Sequence, residues 1–91
     1  MIQVRAGVDR LDREIVALLA ERFRYMEAAA RIKIDRNEVR DEARKAQVLT
    51  NVERLANAQQ IPADVVTDLY ERLVEASITY EAERFAAIHE R

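Results

Sequence analysis

The chain of 91 residues has no cysteine, one glycine, one proline and one histidine. Each shortage removes a class of structure. Without cysteine there are no disulfides and no thiolate metal sites, and a reducing, cytoplasmic setting is the expectation. Gly7 and Pro62 alone leave little with which to build turns. No apolar run approaches the ~20 residues that span a bilayer, and the opening residues do not read as a signal peptide, so no membrane partner is expected. An excess of one charge is also missing. Lys and Arg total 15 against 17 Asp and Glu, and a net charge of −2 gives no general attraction to nucleic acid.

What remains is rich in Ala, Leu, Glu and Arg, so local propensity points to helix almost throughout. The length fits one domain, residues 1–91. Apolar residues spaced by three and four predict a first helix over 4–34, with Val4, Val8, Leu11, Ile15, Leu18, Arg22, Met26 or Tyr25, Ala29 and Lys33 along its seam. "IDRNEV" interrupts it, with Asp35 and Asn37 as turn or cap residues. A second helix is predicted over 39–58, with Val48, Leu49, Val52, Leu55 and Ala56 inward. After "NAQQIP", Pro62 suits the first turn of a third helix and Asp64 its positive end. That helix carries Val65, Leu69, Leu73, Ala76, Ser77, Tyr80, Arg84 and Ile88 along one side.

The fold class expected is therefore all-α, a three-helix protomer with a long first helix. At 1.5 Å per residue that helix is ~45 Å long. A compact chain of this size has a radius of gyration of only ~12 Å. Two shorter helices do not cover the stripe, so an interlocked homodimer is the expectation.

Arg22 and Lys33 stand where the seam asks for apolar residues. They are about three turns apart, on one face and ~16 Å from each other. Buried charge needs a partner. Local acids (Glu14, Glu21, Glu27) or snorkelling at the seam's edge would serve, and so would a ligand. Arg44 lies one turn before Val48 on the inward side of the second helix, while Ser77 and Glu81 are neighbours on the third. Taken singly, Ser77 reads as a small packing residue and Glu81 as solvated or paired with Arg84 or another Arg. Taken together, each helix brings polar groups inward and cations predominate, which suits a small molecule with more than one carboxylate. Of the basic residues only Lys33 and Lys45 are Lys; the rest are Arg, whose rigid fork matches carboxylates, although a GC-rich coding sequence gives the same bias. No Cys–His, Ser–His–Asp or HExxH arrangement and no Gly-rich phosphate loop is present. His89 sits near a fraying end and is assigned no role. No metal and no cofactor are called for, and any catalysis rests on positioning and electrostatics.

The stretch "RAGVDRLDREIVALLAERFRYMEAAARIK" resembles the first helix of the small all-α chorismate mutases, including the spacing of Arg5, Arg22 and Lys33. "VRDEARK" is similar to their entry to the second helix and "VEASITYEAE" to the part of the third that carries site residues. The resemblance covers nearly the whole chain. It implies a dimer with two active sites and a Claisen rearrangement of chorismate to prephenate, without cofactor or covalent intermediate. Carried over by position, it implies Arg22, Lys33, Arg44, Ser77 and Glu81 as substrate contacts from one chain, with Lys33, Glu81 and Arg22 catalytic. It implies Asp41 near the substrate's ring and Arg5 contributed by the partner chain. Arg5 and Arg22 lie ~25 Å apart on a straight helix, too far to clamp one small dianion from the same chain. Three departures stand out. Many bacterial relatives have Gln at position 81, Lys45 stands where Glu is usual, and the "IDRNEV" loop is about one residue shorter than in some relatives. "RFRYMEAAARIK" also resembles the isochorismate pyruvate lyases, which are the alternative enzyme; a non-catalytic helical dimerisation module is the alternative from another class. Within the segment 29–45, Lys33 and Arg44 are expected to face the ligand and Arg31, Arg36 and Arg40 to face water.

Overall fold

The computed structural model describes residues 1–90. Helix α1 spans Ile2–Ile32, a short 3-10 turn spans Arg36–Glu38, α2 spans Glu42–Ala58 and α3 spans Ala63–His89. The all-α, three-helix protomer with a long first helix is thus what the chain forms. No helix among the described residues is long and apolar enough to cross a membrane.

The breaks follow local chemistry. At Lys33 the backbone turns extended while its N–H still reaches Ala29 O. Asp35 and Glu38 form a capping box around the 3-10 turn, the Asp35 carboxylate accepting from Asn37 N and Glu38 Oε1 accepting from Asp35 N. Asp41 then caps α2 by accepting from Arg44 N at 3.0 Å. The second helix therefore starts at Glu42, three residues later than its periodicity predicts, because residues 36–38 make a turn of their own. At its other end Gln60 takes a left-handed φ of 60°, and the N–H groups of Gln60 and Ile61 return to Asn57 O and Ala56 O. This Schellman closure is usually a glycine's task. Pro62 serves as the N-cap of α3, with Asp64 in its first turn as expected.

Helix α3 is the middle layer. It packs against both α1 and α2, whereas α1 and α2 do not approach each other among the described residues. Phe85, 3 % exposed, packs with Ala30 of α1 and Val39 of the connecting segment, flanked by Ile78, Ala82 and Ile88. The Phe23 and Tyr80 rings meet edge to face at 5.0 Å. The buried line on α3 is Val74, Ser77, Glu81 and Phe85. It is rotated from the stripe read in the sequence, so Val65, Leu69 and Ala76 are exposed, and Leu55 of α2 is exposed too. Val4, Val8, Leu11, Ile15 and Leu18 of α1 have no cover within the chain. The protomer is elongated, 52 × 26 × 15 Å with a radius of gyration of 15.9 Å, against ~12 Å for a compact chain of this length.

His89 has a structural task that the sequence does not announce. Its Nε2 lies 2.8 Å from Ala30 O and its ring lies 4.4 Å from that of Phe85. An imidazole beside a carbonyl must donate, so Nε2 carries the proton.

Phe85→Ala empties the one apolar cluster that joins α1, the connecting segment and α3. It is expected to lower unfolding stability by about 3 kcal/mol, read from urea denaturation followed by circular dichroism.

Candidate active site

The last three turns of α1 and the middle of α3 face each other through several polar contacts, two of which line a cavity. Arg22 Nη1 donates to Ser77 Oγ at 2.6 Å, and Ser77 passes its own proton to Leu73 O at 2.7 Å. The Arg22 guanidinium also lies over the Tyr70 ring, 5.9 Å from its centroid. Lys33 Nζ donates to Glu81 Oε2 at 2.7 Å. Glu81 is only 4 % exposed, and a carboxylate so desolvated requires a charged donor. The local acids Glu14 and Glu21 and the seam's own Glu27 are not the partners of Arg22 and Lys33. Glu27 instead accepts from Arg84 at 3.2 Å and Tyr80 at 3.4 Å, so Glu81 is neither solvated nor paired with Arg84.

These contacts form one side of a cavity of about 750 Å³, within the range of roughly 300–1,000 Å³ typical of small-molecule sites. Arg22, Met26, Ala29 and Lys33 line it from α1; Val74, Ser77, Ile78 and Glu81 line it from α3. The connecting segment and the first turns of α2 close the opposite side with Asp41, Arg44, Lys45 and Val48 among others. Arg22, Lys33, Asp41, Arg44, Ser77 and Glu81 thus converge on one space. Arg5 does not reach it; it sits in the first turns of the same helix, ~25 Å of helix away from Arg22. Asp41 lines the cavity, but its Oδ1 is engaged as the α2 cap.

Arg40 and Lys45 line the cavity as well; the resemblance marks position 45, where Glu is usual, but not position 40. Arg40 is exposed, as expected, and at the same time borders the cavity. Its guanidinium grips Glu75 through two bonds of 2.8 and 3.2 Å and reaches Glu42 at 2.8 Å. Lys45 Nζ donates to Glu71 at 2.5 Å and to Glu75 at 2.9 Å. Arg36 is exposed and pairs with Glu90 outside the cavity. The signal for the missed pair was present but weak: Glu71 and Glu75 are one turn apart on α3 and so share a face. Hydrogen bonds from Arg40 first, and then from Lys45, pull the Glu75 carboxyl down to about 2. Hydrogen bonds donated to Glu75 and then to Glu42 push Arg40 up, and those donated to Glu71 and then to Glu75 push Lys45 up.

The charges around the cavity therefore sort into two groups. Lys33, Arg40 and Lys45 each hold a carboxylate. Arg22 and Arg44 hydrogen-bond only to neutral partners among the described residues, Ser77 Oγ and Gln47 Oε1. Two guanidinium groups on different helices thus have charge to offer a ligand, beside a buried Lys–Glu pair. The fold is thus a small all-helical protomer with a cation-lined cavity. The family model for chorismate mutase type II matches residues 4–82, and the chain belongs to that family. Its main activity is that of a chorismate mutase, an isomerase that converts chorismate to prephenate. The matched range begins before Arg5 and ends just beyond Glu81. No curated protein matches the chain.

The depressed Glu75 carboxyl makes a prediction about acid stability. Its folded value lies below its ordinary 4.5, so the stabilisation is fully present above that pH and is lost as pH falls through about 2. The melting temperature of Glu75→Gln should therefore lie below that of the wild type by a constant gap at neutral pH. Thermal melts between pH 7 and 2 should show the gap closing on the acid side.

Proposed function

We propose that this cavity is the site of the rearrangement, and that it works by holding the substrate in a reactive fold rather than by covalent chemistry. The observation that carries the reading is the pair of cations left without carboxylates, Arg22 on α1 and Arg44 on α2. Chorismate has two carboxylates. Arg22 and Arg44 receive them, so that the enolpyruvyl arm lies over the ring and the two carbons to be joined are brought together. Ser77 fixes Arg22, and Asp41 fixes the α2 turn that carries Arg44 at the ring side of the substrate.

The reaction breaks the ether C–O bond as the new C–C bond forms, and every atom stays in the molecule. Negative charge grows on the ether oxygen along the way. Lys33 is the donor for that oxygen, and Glu81 aims it from behind. An ammonium has three N–H bonds, and Glu81 accepts one of them. Stabilisation felt more strongly in the transition state than in the bound substrate is what raises the rate. A carboxylate at position 81 has no proton to donate, so in its ionised form Glu81 acts only through Lys33.

The active unit in this reading is a homodimer. The uncovered row Val4, Val8, Leu11, Ile15 and Leu18 supports it, because an apolar stripe of that length calls for cover. An antiparallel partner helix would cover the stripe and bring the partner's copy of Arg5 to the cavity. The direct test is to incubate the purified protein separately with chorismate and isochorismate and identify the products. Prephenate from chorismate is expected; pyruvate release from isochorismate alone would transfer the site to lyase chemistry.

Two further outcomes are expected. Arg5→Ala and Arg22→Ala each give nearly inactive homodimers. Mixing equal amounts under subunit exchange restores about one quarter of wild-type activity, since half of the random pairs are mixed and each has one intact site. No recovery with exchange confirmed would place Arg5 outside the site. Glu81→Ala, which leaves Lys33 unaimed, lowers kcat/KM by about 10²–10³-fold, the usual cost of a lost oxyanion-type donor. Glu81→Gln supplies an amide donor of its own and keeps at least wild-type kcat/KM above pH 7.

A further inference from the structure

Glu75 does not line the cavity, yet it holds two cations that do. It accepts both bonds of the Arg40 fork and one from Lys45. A second carboxylate backs each cation. For Lys45 it is Glu71, at 2.5 Å from an ammonium that is only 17 % exposed. For Arg40 it is Glu42, whose side chain is 70 % exposed, so that pair is heavily screened by water. Glu75 is therefore the main partner of Arg40. Without it, Arg40 would become a further guanidinium able to receive a carboxylate, on the same wall as Arg44.

That matters for a ligand with two carboxylates. Receivers fixed on opposite walls restrict the ligand to few poses. A further, loosely placed receiver adds poses in which the carboxylates are satisfied but the reacting carbons are not brought together. Such poses bind the substrate without advancing it.

We propose that Glu75 is a positioning residue for the rearrangement, masking Arg40 and Lys45 so that they do not compete for the substrate's carboxylates with Arg22, Arg44 and the partner's Arg5. This rests on the assignment of the cavity as the site of the reaction. The low value to which the Glu75 carboxyl is drawn fits it, because the mask stays charged through the whole working range. The contact also ties the segment before α2 to α3, so a purely structural role is the competing account. The two accounts differ in what removing both partners does.

The test compares wild type, Glu75→Gln and the double variant Glu75→Gln with Arg40→Gln, with circular dichroism confirming the fold of each. Calorimetric titration with succinate, a plain dicarboxylate, reads the receivers without any turnover. Steady-state kinetics with chorismate reads the pose. In Glu75→Gln, succinate binds about fivefold more tightly, the size of one solvent-screened ion pair. Its kcat and KM for chorismate fall together, the signature of unproductive binding. The double variant, having lost the exposed cation, returns all three values toward wild type. A structural clamp gives the opposite pattern: KM rises, succinate binds no more tightly, and the double variant is as impaired as the single one. That result would overturn the proposal. Failure of the wild type to form prephenate would strike the assignment of the site, whereas the succinate titrations would still decide whether Glu75 masks Arg40. If Glu75→Gln does not fold, Glu75→Asp carries the same measurements, since its shortened carboxylate loosens the Arg40 fork while keeping the charge. Succinate binding at the wild-type level there, with kcat reduced, would again favour the structural account.

Discussion

The register between α1 and α3 is set foremost by the hydrogen bonds that enter the cavity, Arg22 to Ser77 and Lys33 to Glu81, with Glu27 and His89 adding others outside it. Apolar contacts between these helices would tolerate sliding, because alanines and branched residues substitute for one another along a groove. A carboxylate buried as deeply as Glu81 does not, since its cost without an ammonium is several times that of a lost methylene. Lys33 can serve it only because α1 stops there and the backbone turns extended. Once α1 and α3 are fixed in this register, Phe85 meets Ala30 and Val39, and the connecting segment has a place to sit. The polar pairs thus define the core's alignment as well as the lining of the cavity.

The connecting segment is held largely by charge. Val39 is the only buried residue of the segment between α1 and α2. Beyond it, Arg36, Arg40 and Lys45 reach α3 through Glu90, Glu75 and Glu71. Exposed pairs of this kind each contribute little, and each is weakened by salt. The connecting segment is consequently the less stable part of the cavity wall, whereas α2, which carries Arg44, is packed on α3 through buried Val52 and Ala56.

Much of this was legible in the sequence, for definable reasons. The helices were plain because spacing by three and four is strong and turn residues are scarce. Arg22 and Lys33 stood out as charges in an apolar seam, and Ser77 and Glu81 as polar neighbours on one face of α3. The start of α2 was misread because Val39 fits the helical period, although it is buried from within a turn. The inward face of α3 was drawn too close to Val65 and Leu69, because periodicity reports which residues are apolar and not which neighbour buries them. The pairing of Arg40 and Lys45 with α3 was hidden for a different reason. Their partners lie about 26 to 35 residues away on α3, and no local pattern links an arginine before one helix to a glutamate in the middle of the next.

The far end of α3 is fastened to the same wall. His89 donates to Ala30 O on α1, and Glu90 accepts from Arg36, four residues before Arg40. The last turn of α3 is therefore joined to the segment leading into the cavity wall by one solvent-screened pair, in parallel with its own packing through Phe85 and Ile88. Part of a load applied at Glu90, whether from a fused tag, a neighbouring domain or a surface to which the protein is tethered, passes through Arg36 into the strip of backbone that carries Arg40 and Asp41. Immobilising the protein by this end would pull weakly on the pocket, whereas attachment at the Ala58–Pro62 bend would leave that line of force slack.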